Sequence, residues 1–294
     1  MPNDLRAEAT LSCQGRVKQE NQDTMTSSQL PEQNQAETSP ASSGPSARAP
    51  VNGLPGAAHL GTGVTSGIAP SASVSPITIE TLKDNPEVHA LIRAADEQLG
   101  AMGYTEHGFR HMSLVAHIAH NVLIRLDRSE RQAQLAAVAG YLHDIGNLVN
   151  RVDHAAAGAL IAKDLLRGLG MRWDELAIVL GAIGNHEERV GEPVSDVSAA
   201  IIIADKSDVH RTRVRNQNPL TFDVHDRVNY ASQRSFVRVN AQEKTLTLEL
   251  TIDTELASLA DYFNIFLTRM MFIKRSCDFL GVQFRLEINQ TRMI

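Results

Sequence analysis

Tyr141-Leu142-His143-Asp144-Ile145-Gly146, near the middle of a 294-residue chain, sets a histidine directly before an aspartate at the end of an apolar helical run. Burying both side chains costs several kcal/mol unless something pairs with them, and a metal ion is a common partner for such a pair. Working outward, four more ligand-type residues fall in spaced helical segments: His111 before the pair, then His154, His186 and Asp205. A lone His-Asp dipeptide arises by chance in many chains. The ordered set of six does not.

Periodicity places each candidate at the polar end of an apolar stripe. From Glu106 to Leu126, the residues Leu114, Val115, Ile118 and Val122 share a face with His111. His120, nine residues on, points roughly the other way, and His117 also lies off that face; His107, one turn earlier, is a candidate pocket residue. A second helix, Glu130 to His143, points Leu135, Val138, Ala139 and Leu142 inward, with Ala136, Ala137 and Gly140 permitting close packing, and Gly146 is expected to turn the backbone after it. His154 opens a helix that stops near Gly168 and Gly170. Trp173 to Glu187 carries Leu176, Val179, Ile183 and His186 on one stripe, and Pro193 to Asp208 carries Val197, Ile201, Ala204 and Asp205 on another. A helical bundle delivers side chains from different helices to one buried point in this way. Upstream, Ile77 to Leu99 reads as helix with Pro86 near a helix start.

The two ends of the chain differ from this middle. Residues 1–76 lack Phe, Trp and Tyr and hold eight of the eleven prolines, so they cannot bury enough apolar area to offset their conformational entropy. They are expected to form a disordered low-complexity tail, either dispensable or used to dock a partner. At the other end, Phe236 to Asn240 and Thr245 to Ile252 alternate as a hairpin, Leu256 to Leu280 is a long apolar helix, and Gln283 to Asn289 a third strand. The expected architecture is mainly α: a helical bundle over 77–230, with a small α+β segment of three strands and one helix over 231–294. That segment either caps the site or forms a homodimer interface.

Composition excludes several functions. A net charge of −6 gives no global basic field for nucleic acid. Residues 1–76 hold no apolar run long enough for a signal peptide or membrane span. Cys13 and Cys277 are too few for a disulfide framework, which fits a reducing cytoplasm.

Together His111, His143-Asp144, His154, His186 and Asp205 resemble the HD superfamily of metal-dependent phosphohydrolases in its HDIG form, and the block Ala204 to Asn216 is similar to a little-characterised bacterial group within it. The resemblance implies that His111, His143, Asp144 and Asp205 hold one metal ion, and that His154 and His186 hold a second, bridged by Asp144. Mixed imidazole and carboxylate donors suit iron, manganese or zinc. The implied cofactor is therefore two divalent transition-metal ions, and the implied reaction is attack of metal-activated water on a nucleotide or other small phosphoester. Asp144, Lys206 and Arg211 are the expected catalytic residues. Arg213, Arg215 and the more distant Arg151 are further candidates for binding phosphate, while Glu187, Glu188 and Asp153 stand beside ligands they could orient.

Other branches of the superfamily fit less well. The branch that cleaves cyclic di-GMP has a lysine after its HDIG and a downstream Gly-Tyr-Pro; here the position holds Asn147 and no Gly-Tyr-Pro occurs. RNA-cleaving members carry a nucleic-acid-binding module for which this tail has no equivalent. The branch that splits diadenosine tetraphosphate shares the ligand order. Two alternatives to a phosphohydrolase are a nucleotide-binding signalling module without turnover and a di-iron oxygenase.

Overall fold

A computed structural model describes residues 76–294; the expected tail lies outside the described residues, except for an exposed Pro76. Helix α1 (Ile79–Lys83) is followed by α2 (Pro86–Ala101). The single helix expected from Ile77 to Leu99 is thus two. Asn85 accepts hydrogen bonds from the amides of Glu87 and Val88 and Pro86 occupies the first turn, so the chain restarts a helix there.

Four longer helices and a short turn form the heart of the bundle. They are α3 (Phe109–Arg125), α4 (Glu130–Leu142), α5 (His154–Gly168) and α6 (Trp173–Gly184), with a 3-10 turn (Ile145–Leu148) between α4 and α5. Helix α4 starts at a capping box in which Ser129 and Gln132 satisfy each other's amides. Gly140 allows α4 to cross α3 closely, since a Cβ there would come within 3.1 Å of the Ala116 backbone. Gly146 has a related role. A Cβ on it would collide with the carbonyl oxygen of His154 and the amide of Gly158. The residue is not in the left-handed region, so close approach to α5, rather than the expected freedom to turn, requires glycine there.

Helix α7 (Asp196–Ser207) is buried from Val197 through Ser207, on every side. A helix buried all round needs neighbours all round. One side meets α3, α4 and α6; the other is covered by α9 (Leu259–Leu280) from the C-terminal segment. Between them run two short 3-10 turns, Arg211–Arg213 and Pro219–Thr221, and α8 (Val224–Ala231).

The C-terminal sheet has four strands in the order β1 (Ser232–Asn240), β2 (Thr245–Ile252), β3 (Gln283–Ile288) and β4 (Thr291–Arg292). β1 and β2 form the expected hairpin, β2 and β3 run parallel across α9, and β4 returns antiparallel. Leu246, Leu248 and Leu250 pair with Phe284, Leu286 and Ile288 on the face that α9 covers. The expected three strands become four because Asn289 and Gln290, both at positive φ, turn the chain back for two more residues. Two residues are too few to show a period.

Candidate metal centre

Five helix segments point polar side chains at one buried spot. His111 comes from the first turn of α3, His143 and Asp144 from the end of α4, His154 from the first residue of α5, His186 from just beyond α6, and Asp205 from the last turn of α7. All six are buried. These residue types survive there because each ring is held from behind.

His143 Nδ1 donates to the carbonyl of Gly140 at 2.8 Å, His154 Nδ1 to that of Arg151 at 3.0 Å, and His186 Nδ1 to that of Ile183 at 2.6 Å. A carbonyl only accepts, so each Nδ1 carries the proton. His111 Nδ1 faces Asp208 Oδ2 at 2.7 Å. Burial would raise the Asp208 pKa, but Arg213, His111 and Arg110 hold it well below the carboxylate range, so Asp208 also accepts.

All four imidazoles consequently turn Nε2 toward the centre. His111 and His143 Nε2 lie 3.3 Å apart, and His154 and His186 Nε2 lie 3.1 Å apart. Lone pairs at such distances repel unless a cation lies between them. Asp144 spans the two pairs: Oδ2 is 3.3 Å from His143 Nε2 and 3.7 Å from His111 Nε2, while Oδ1 is 3.3 Å from His154 Nε2 and 3.5 Å from His186 Nε2. Asp205 Oδ1 joins the first pair, 3.4 Å from His111 Nε2. Two groups, His111/His143/Asp205 and His143/Asp144/His186, bring one donor atom each within 4.8 Å of one another. This buried set of nitrogen and oxygen donors fits divalent transition-metal ions.

The field inside the cluster has the sign of a cation site. Burial resists charging His143, yet Asp144 and then Asp205 push its pKa up to about 10. Burial would raise Asp144 and Asp205 too. His143 and the other imidazoles hold Asp144 well below its usual value, and Lys206, His111 and His143 do the same for Asp205.

Several supporting residues were not read from the sequence. Asp208 is the main one, gripped by Arg110 at 2.8 Å and lying 3.7 Å from Arg213 Nε. Its signal was available: a second aspartate about one turn after Asp205. Asn147 donates from Nδ2 to Asp144 Oδ1 at 2.9 Å and so orients the carboxylate that spans the two imidazole pairs. His107, by contrast, was expected as a pocket residue, and it is buried with its ring centroid 5.3 Å from that of His111, where burial keeps it neutral.

The expected cations separate on inspection. Lys206 is buried beside the cluster, 2.8 Å from Asp205 Oδ2 and 2.6 Å from Glu188. Burial opposes its charge, but Asp205 and Glu188 keep its pKa raised. It therefore holds Asp205 in place. Arg211 instead lies over the Tyr230 ring at 5.2 Å. Arg213 donates to the carbonyls of Asp208 and Glu106, and Arg215 is paired with Asp96 and the carbonyl of Tyr104. These two arginines tie the segment after α7 back to the segment before α3. Arg151 stands nearer the centre, with Nη1 3.3 Å from His154 Nε2 and its guanidinium over Tyr104. Glu187 is 3.5 Å from His154 Nε2, whereas Asp153 only precedes α5, exposed and at φ 62.

Residues 108–221 match the family model described as HD domain, a span that contains all six clustered residues. The chain is 26% identical over 201 residues to an uncharacterised protein, MJ1020, of Methanocaldococcus jannaschii, covering 60% of this chain and 76% of that one. It is also similar to the crystal structure of a predicted HD superfamily hydrolase from an uncultured Thermotogales bacterium. There the identity is 26% and the TM-score 0.33, over 45% of this chain and 74% of that one.

Proposed function

We propose that this HD-superfamily protein, a metal-dependent hydrolase by its family, is a phosphohydrolase with two divalent transition-metal ions that acts on a nucleotide or other small phosphoester. The observation that carries the reading is the position of Asp144, whose two oxygens are divided between two imidazole pairs. A carboxylate so placed suits a bridge between two ions. Iron, manganese or zinc matches the donors.

When bound, such ions supply an activated water and stabilise charge on a phosphoryl oxygen. The protein's own groups set up that chemistry. Asp208 fixes the tautomer of His111, and main-chain carbonyls fix the other three rings. Asn147 and Lys206 orient the two carboxylates. The two carboxylates that face the imidazole pairs, Asp144 and Asp205, would not balance two divalent ions, so a filled centre would be positive and would favour an anionic substrate. Arg151, half-buried beside His154, is placed to meet a phosphate oxygen. Among the described residues no helix is long and apolar enough to cross a membrane, and the substrate is proposed to be a small molecule met in the cytoplasm.

The test is a panel of phosphomonoesters, phosphodiesters and nucleotides assayed with reconstituted protein, with and without chelator. Hydrolysis of at least one class, abolished by chelation and restored by iron, manganese or zinc, is expected. Nucleotide binding without turnover would instead support a signalling module, and metal-dependent oxygen consumption an oxygenase.

A further inference from the structure

Arg269 on α9 lies well outside the matched residues 108–221, yet a line of ion pairs joins it to the cluster. Asp205 Oδ2 meets Lys206 at 2.8 Å, Lys206 meets Glu188 Oε2 at 2.6 Å, and Glu188 Oε1 meets Arg269 Nε at 3.7 Å. From Lys206 outward exposure rises along this line, from 7% for the Lys206 side chain to 19% for Glu188 and 28% for Arg269. The line therefore runs from the buried centre out toward solvent, and Arg269 is its outer end.

Two further facts concern Arg269 itself. Its guanidinium stacks over Phe266, one turn back on α9, at 4.9 Å. Among the described residues its only ion pair is the long one to Glu188, and it makes no side-chain hydrogen bond. A planar cation held by an aromatic face, with its N–H fork free, is arranged for a bidentate oxyanion. Arg151 over Tyr104 and Arg211 over Tyr230 are stacked likewise, but neither belongs to the line of ion pairs that starts at Asp205. Arg110 and Arg213 are committed to Asp208, and Arg215 to Asp96. Arg269 is also close enough for its charge to act on Lys206, Glu188 and Arg213. A cation facing two like charges and a shared carboxylate gains from an added anion.

We propose that α9 supplies a substrate-binding residue to the centre: Arg269 binds a phosphate oxygen of the substrate, with Lys206 and Glu188 fixing its position. The proposal rests on the phosphohydrolase reading for the identity of the anion. It gives the C-terminal segment a direct part in the site, because α9 buries α7 on one edge and presents Arg269 on the next.

The experiment uses the full chain loaded with metal, and inorganic phosphate as the binding probe in calorimetry. Phosphate affinity should fall roughly tenfold or more in Arg269→Gln and recover only in part in Arg269→Lys, which restores the charge but not the planar fork. Metal content and Tm should stay at the wild-type values. On a phosphoester from the panel, KM should rise by more than kcat falls. Phosphate affinity in Arg269→Gln equal to wild type, or absence of phosphate binding in wild type, overturns the proposal. A purely structural role would lower Tm in Arg269→Gln and leave phosphate affinity intact in Arg269→Lys and Arg269→Gln alike. Should wild type bind phosphate through Arg269 yet hydrolyse nothing, the anion site stands and the hydrolase reading fails.

Discussion

The two imidazole pairs of the cluster are braced differently. His111 is held by a carboxylate, Asp208, that is itself held by Arg110 and Arg213, and the pair's other carboxylate, Asp205, is held by Lys206. His154 and His186 hang on main-chain carbonyls alone, with Glu187 and the half-buried Arg151 as side-chain neighbours. One half is anchored by layered charge deep in the bundle. The other is anchored by backbone and lies beside groups that reach solvent. Rigid support behind a ligand raises its affinity and fixes its direction, so the His111 side should hold its ion more tightly.

Asp144 is the residue common to both halves, and its loss should have the largest effect. In Asp144→Ala, metal retention should fail on both sides and turnover should drop to background, as read by elemental analysis and the phosphoester assay. Retention of a full metal complement would mean that the two halves do not share it. Next comes Asp208→Ala, which touches only the braced half. Metal affinity should fall roughly 10–100-fold, as when a residue supporting a metal ligand is lost. Buried Arg213 would lose its counterion, costing about 3–5 kcal/mol of stability in chemical denaturation. An unchanged denaturation midpoint would show the brace to be idle.

His186→Ala probes the other half. Bound metal should fall from about two ions to about one, and hydrolysis should drop sharply while the fold's stability changes little. Smallest of all should be Arg211→Ala. Its guanidinium rests on Tyr230, a contact worth about 0.5–1 kcal/mol at such sites. Metal content should not move, and kcat/KM should stay near wild type. A tenfold loss in kcat/KM would restore Arg211 to the substrate, as its position after Asp205 in the sequence suggested.

Most of the bundle was legible because burial imposes a period. Leu176, Val179, Ile183 and His186 announce α6 and its polar end without any other information. The order of ligand-type residues likewise placed all six members of the cluster. The supports were less legible, since hydrogen-bond partners across the fold leave no local pattern: Asn147 reads as a loop residue and Asp208 as a helix end. The Arg211–Arg215 run misled for the same reason. The run follows the ligand Asp205 in sequence, but the 3-10 turn rotates Arg213 onto Asp208 and directs Arg211 to Tyr230. Arg269 could not be found from the sequence at all, because only the packing of α9 on α7 brings it near Glu188.

Stoichiometric titration of the metal-free full chain with iron, manganese or zinc tests the central claim most directly. The account predicts two ions per chain in separable steps, with the tighter step weakened by Asp208→Ala and the weaker step removed by His186→Ala. Saturation at a single ion, or no binding by a folded chain, would contradict it.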